Sequence, residues 1–178
     1  TLFRSNAAPT TLVLADDHAI VRMGFRLLLE GAGARVLAEA DSGEAAQQLM
    51  QTLDPDILVM DLSMPGCGGL AALERILARK PGQKVLIASA HADALTAERA
   101  LKAGAAGYLC KRSPPDELLR AVQAVAAGQR YVDPEIAAAL KRADRPEHPA
   151  EALTDKEFNV FLQLAQGRSV AEVAASFQ

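Results

Sequence analysis

Ile57-Leu58-Val59-Met60-Asp61-Leu62-Ser63-Met64-Pro65-Gly66 is the stretch that decides the fold. Four apolar residues in a row, with Pro55-Asp56 before them and Pro65-Gly66 beyond, read as a short strand buried on both faces, the kind found inside a parallel sheet. Its last residue is a carboxylate. In an open parallel α/β sheet the carboxyl ends of the strands line the crevice where ligands bind, which puts Asp61 where chemistry is done. An Asp after a strand also serves simply to start a turn, so the rest of the chain must decide between the two uses.

Working outward, Thr11-Leu12-Val13-Leu14-Ala15 is a second short buried strand that ends in Asp16-Asp17-His18. Ala19 to Glu30 follows as an amphipathic helix, with Ile20, Phe25, Leu28 and Leu29 set among Arg22 and Arg26 and with Gly31 closing it. Arg35 to Ala40 is another strand, and Asp41-Ser42-Gly43-Glu44 opens a helix to Leu53 with Ser42 as N-cap. Beyond Asp61 and the loop Gly66-Cys67-Gly68-Gly69, a helix spans Leu70 to Lys80 and stops at Pro81-Gly82. Val85 to Ala88 and Gly107 to Cys110 are strands, separated by a helix over Asp93 to Ala103. Pro115 to Ala127 is the last helix of the series, with Pro in its first turn and Gly128 past its end. Strand and helix thus alternate five times. With right-handed crossovers this gives a doubly wound, five-stranded parallel sheet, for which the flavodoxin-like order 2-1-3-4-5 is the expected one. That order makes the first and third strands neighbours and brings Asp16, Asp17 and Asp61 to one edge.

Residues 129–150 change character. Tyr131-Val132-Asp133-Pro134 leads a short Ala-rich helix to about Arg142, and Arg145-Pro146-Glu147-His148-Pro149 is a polar, Pro-broken linker. Residues 151–178 open a further, all-α region. Leu153-Thr154-Asp155-Lys156-Glu157 has the pattern of a capping box, its helix carries Phe158, Phe161, Leu162 and Leu164 to Gly167, and Ser169 starts another helix with Val170, Val173 and Ala174.

Half of the 178 residues are hydrophobic but only 4% are aromatic, so the core is built from Ala, Leu, Val and Ile. A net charge of −3 argues against sequence-blind nucleic-acid binding over the whole surface. Cys67 and Cys110 have no metal-ligand spacing and are too few for a disulfide framework, which favours a reducing, cytoplasmic compartment. No apolar run approaches the ~20 residues of a membrane span. The chain starts at Thr1, so Thr1 to Pro9 is expected to be a processed or fragmentary end.

Carboxylates converging at a sheet edge repel one another by a few kcal/mol per close pair at an effective dielectric of about 20. A bound divalent cation relieves this, and oxygen-only ligands in a shallow site suit Mg²⁺. Two other strand ends supply further parts: Ser89 a hydroxyl and Lys111 an ammonium. Each alone is ordinary, Ser89 as a helix cap and Lys111 as a solvated strand exit. Four strand ends giving Asp-Asp, Asp, Ser and Lys in chain order are far more specific.

With Asp16-Asp17, Asp61 followed by Met64-Pro65-Gly66, Ser89, Tyr108 and Lys111, the chain from about Thr11 to Gly128 resembles the response-regulator receiver domain of two-component signalling. The resemblance implies that Asp61 accepts phosphate from a sensor histidine kinase. It also implies that Asp16, Asp17, Asp61 and the backbone carbonyl of Ser63 hold Mg²⁺, and that Lys111 and Ser89 bind the phosphoryl oxygens. Tyr108 would be the switch aromatic, packing inward when Ser89 moves. Leu153-Thr154-Asp155-Lys156-Glu157 and Leu164-Ala165-Gln166-Gly167-Arg168-Ser169 resemble the first part of a LuxR-type helix-turn-helix, so the whole is similar to the NarL/FixJ subfamily of transcription regulators. The divisions implied are a receiver over 10–128, a linker with a short helix over 129–150, and the start of a DNA-binding domain over 151–178.

Such a protein is a phosphoacceptor and not an enzyme in the ordinary sense. The complete protein is expected to bind DNA as a phosphorylation-promoted homodimer. The 178 residues alone lack a reading helix and are expected to bind no defined operator, with their last two helices poorly ordered or leaning on the receiver or on a neighbouring chain. Two other functions would use the same kind of sheet. An Asp-nucleophile phosphatase of haloacid-dehalogenase type needs a second acid two residues after the nucleophile, and that position is Ser63. A receiver acting by protein contact without DNA is the other. A dinucleotide-binding module is disfavoured because Asp16-Asp17-His18, and no Gly-rich turn, follows the first strand.

Overall fold

The computed structural model describes residues 8–90, 93–142 and 153–175. Strands β1 (Thr11–Ala15), β2 (Arg35–Ala40), β3 (Ile57–Met60), β4 (Lys84–Ser89), β5 (Gly107–Cys110) and β6 (Tyr131–Val132) form one parallel sheet in the order β2-β1-β3-β4-β5-β6. Helices α1 (Ala19–Gly31), α2 (Gly43–Thr52), α3 (Gly69–Arg79), α4 (Ala94–Lys102) and α5 (Pro115–Ala126) make the crossovers, and α6 (Pro134–Arg142), α7 (Asp155–Ala165) and α8 (Val170–Ala175) follow. The Pro-broken linker expected over 143–150 lies outside the described residues.

Successive side chains of a strand point to opposite faces, and both faces here are covered. Val13, Leu58, Met60, Val85, Ile87 and Tyr108 pack with Ala46 of α2, Leu73 and Ile76 of α3 and Ala97 of α4. Leu12, Leu14, Ile57, Val59, Leu86 and Leu109 pack on the other face with Leu29 of α1 and with Leu118, Val122 and Val125 of α5. Burying each of the Val, Leu, Ile and Met side chains among these contributes about 1.5–3 kcal/mol. Two of the helices on the first face start on side-chain caps, Ser42 accepting from the Ala45 amide at 3.3 Å and Asp93 from that of Thr96 at 2.7 Å.

The strand order is the expected one, extended by β6 at the edge. The Tyr131-Val132 dipeptide is too short to show a period, and its strand character comes from pairing with β5. Its neighbour Asp133 is buried, with one carboxylate oxygen accepting from the Cys110 amide and the Ser113 hydroxyl and the other from the Glu135 amide. One side chain therefore starts α6 and ties it to the end of β5.

Helix α7 leans on the sheet domain, one of the outcomes expected of the last two helices, and α8 packs on α7. Thr154 and Glu157 form the capping box. Phe158 is 1% exposed: its ring lies 4.0 Å below the guanidinium of Arg99 on α4, which also donates to the Leu153 carbonyl at 2.9 Å. Phe161 stays 46% exposed. The Asn159 amide nitrogen is 3.4 Å from the carbonyl of Cys67, in the loop between β3 and α3. Gly68 of that loop has φ +79°, and an added Cβ would collide with the Asn159 side chain.

Candidate functional site

Backbone hydrogen bonds just past the strand ends place the polar side chains. The Asp16 amide donates to the Ala40 carbonyl at 3.0 Å, that of Asp61 to Ala15 at 2.8 Å, and that of Lys111 to Ser89 at 2.8 Å. Each residue is thus the first one after a strand, held in register with the neighbouring strand, and the carboxylates of Asp16, Asp17 and Asp61 share one end of the sheet.

Lys111 spans two of them, its Nζ 2.6 Å from Asp16 Oδ2 and 2.7 Å from Asp61 Oδ2. The other oxygen of Asp61 accepts from the Ser63 amide at 3.1 Å. Asp61 is only 1% exposed, and burial pushes its carboxyl above the ordinary carboxylate range against the opposing pull of Lys111. Ser89 and Tyr108 are both buried, on the adjacent strands β4 and β5. Burial raises the Tyr108 phenol as well. Its side chain is already fully buried. The structure therefore brings Asp16, Asp17, Asp61, Lys111 and Ser63 together, with Ser89 buried at the end of β4.

Three participants were not singled out from the sequence. Arg22 of α1 donates to the Asp16 carbonyl. His18 Nδ1 lies 2.8 Å from Asp17 Oδ1. Arg168, between α7 and α8, places Nη2 3.4 Å from Asp17 Oδ2. Asp-Asp-His adjacency was a signal for His18, whereas no local pattern announces a contact across 151 residues.

One ligand atom each from Asp16, Asp17, His18 and Asp61 fall within 4.8 Å of one another. This oxygen-rich donor set fits a hard divalent ion such as Mg²⁺, and the cationic groups of Lys111 and Arg168 now face the charge that such an ion would compensate. Arg168 must therefore compete with it. Arg168→Ala is expected to bind Mg²⁺ about two- to five-fold more tightly, matching the ~0.5–1 kcal/mol of a partly exposed ion pair. Calorimetric titration reads this directly, and an unchanged affinity would mean that Arg168 does not compete.

A family model described as the response regulator receiver domain matches residues 12–123. The response regulator UvrY of Escherichia coli (strain K12) is 34% identical over 168 residues, covering 92% of this chain and 77% of that protein. The crystal structure of a LuxR-family two-component response regulator from Aurantimonas sp. SI85-9A1 superposes with a TM-score of 0.73 at 40% identity, over 75% of this chain and 96% of that one. A complex of the response regulator RcsB with DNA matches with a TM-score of 0.69 at 26% identity, over 94% of this chain and 82% of that one. Among the described residues, no helix is long and apolar enough to cross a membrane.

Proposed function

The chain belongs to the response regulator receiver family, and on that premise we propose that it accepts a phosphoryl group on Asp61 from a sensor histidine kinase and so controls transcription. The observation that carries this reading is the buried Asp61 carboxylate at the end of β3, 2.7 Å from the Lys111 ammonium and grouped with Asp16 and Asp17. A carboxylate oxygen of Asp61 attacks phosphorus. The new O–P bond forms as the bond from phosphorus to the donor histidine nitrogen breaks, and that nitrogen keeps the electron pair and takes a proton from solvent. Asp16, Asp17, Asp61 and the Ser63 carbonyl would hold Mg²⁺, which when bound offsets charge on the phosphoryl oxygens. Lys111 is already placed to pair with one of those oxygens once Asp61 carries the acyl phosphate.

Ser89 and Tyr108 are the proposed switch. A phosphoryl oxygen that draws the Ser89 hydroxyl toward Asp61 changes the packing at the end of β4 beside β5, and the Tyr108 ring repacks. Ser89→Ala is expected to accept phosphate yet to lose most of the amide shifts around Tyr108 that beryllofluoride produces in wild type. Equal shifts in the two proteins would remove Ser89 from the switch.

A surface for the kinase lies beside the acidic site. Ile20, Met23 and Leu27 of α1 stand on one face of the helix and are exposed, Ile20 to 81%. The output we propose is DNA binding by a phosphorylation-promoted homodimer in the cytoplasm. Supporting this are the likeness to the RcsB–DNA complex and the α7–α8 pair, which we read as the opening helices of a LuxR-type helix-turn-helix within 151–178. Residues 10–128 are then the receiver and 129–150 the connection. Incubation with acetyl phosphate tests the central step. Acid-labile phosphate is expected to appear with Mg²⁺ and to vanish with a chelator, and uptake indifferent to chelation would contradict the proposal.

A further inference from the structure

His18 takes no part in the phosphoryl chemistry derived above, yet it faces the same cluster. It occupies the N-cap of α1 without making a side-chain cap bond, the task that Ser, Thr, Asp or Asn performs there. Its backbone amide donates to Asp16 Oδ1 at 2.9 Å. Its Nδ1 is 2.8 Å from Asp17 Oδ1 and 3.5 Å from Asp16 Oδ1. Neighbouring ligands on a six-coordinate ion with bonds of about 2.1 Å stand roughly 3 Å apart. The imidazole nitrogen is thus spaced from both carboxylates as a neighbouring ligand would be. The side chain is 65% exposed, so the ring proton can reside on Nε2 in water and leave the Nδ1 lone pair for a metal.

We propose that His18 is a metal ligand through Nδ1, and that it makes the site prefer a first-row transition ion such as Co²⁺ or Mn²⁺ over Mg²⁺. Carboxylates accept all of these ions, whereas imidazole suits the transition metals and adds little for Mg²⁺. The inference rests on reading the cluster as a divalent-cation site, and the experiment separates the two. The metal-free chain, without a polyhistidine tag, is titrated calorimetrically with Mg²⁺, Mn²⁺ and Co²⁺ as wild type and as His18→Gln, and pulsed electron paramagnetic resonance is recorded on the Mn²⁺ forms. His18→Gln is expected to lose Co²⁺ affinity about tenfold, the lower end of what disturbing a metal site costs, and to keep Mg²⁺ affinity within about twofold. Nitrogen modulation from a directly bound imidazole is expected in wild type and absent in the variant. Binding of all three ions with equal losses, or Mn²⁺ bound to wild type without nitrogen modulation, would overturn the role of His18 alone. Failure of wild type to bind any of the ions would overturn the cation site with it.

Discussion

Asp61→Asn is expected to take up no phosphoryl group and to unfold at a higher temperature than wild type at neutral pH. The first effect follows from chemistry, because the amide oxygen is a poor nucleophile for phosphorus and no other described carboxylate shares Asp61's place between Lys111 and the Ser63 amide. The second follows from burial, which holds the Asp61 carboxyl above its ordinary value. Folding therefore favours the protonated form. The stability this group contributes is fully present below the ordinary carboxylate range, near pH 4, and is lost as pH rises through its raised folded value. Asparagine carries no charge at any of these pH values and escapes that loss. A gain of about 1 kcal/mol would move the midpoint of a chain of this size by about 2–4 °C. Thermal melts across pH check the sign: the variant's advantage should be present at pH 7 and shrink in acid. A variant that melts below wild type at pH 7 would show that Lys111 outweighs burial.

Gly69→Ala is expected to be the more damaging change, although it adds one methyl group. A Cβ on Gly69 would stand 2.3 Å from Leu62 Cα and 2.5 Å from the Asp61 carbonyl oxygen, both of them backbone atoms that no rotamer change can move aside. The first turn of α3 packs against the residues leaving β3 only because this position lacks a side chain. Overpacking of this kind costs about 1–3 kcal/mol, so the melting temperature should fall by roughly 2–12 °C. Mg²⁺ affinity should fall too, since the displaced backbone carries Asp61. Gly82→Ala is the control, its Cβ meeting nothing within 4 Å. Equal melts for the two variants would mean that the chain from Asp61 to Gly69 yields easily.

What could be read from the sequence was local or periodic. The apolar runs at Leu12 and Ile57, the Ser42 and Thr154 caps and the alternation of strands with helices marked the elements of a parallel sheet, and the flavodoxin-like order expected for it brings Asp16 to Asp61. The features that escaped depend on distant parts of the chain. Gly66-Cys67-Gly68-Gly69 read as a bare loop, but Gly68 makes room for Asn159 and Gly69 for the backbone after Asp61. Tyr131-Val132 became a strand because β5 offered an unpaired edge. Phe158 is covered because Arg99 on α4 reaches its ring, and Arg168 meets Asp17 because α7 is seated beside the β3–α3 loop. None of these pairings has a period or a motif.

The most direct test of the account is to locate the phosphoryl group. After incubation with acetyl phosphate and Mg²⁺, borohydride reduces an aspartyl phosphate to homoserine, which mass spectrometry of the digested protein assigns to a residue. The account predicts homoserine at position 61 alone, and none when a chelator is present. Homoserine at Asp16 or Asp17, or none at position 61 in protein that carries acid-labile phosphate, would contradict it.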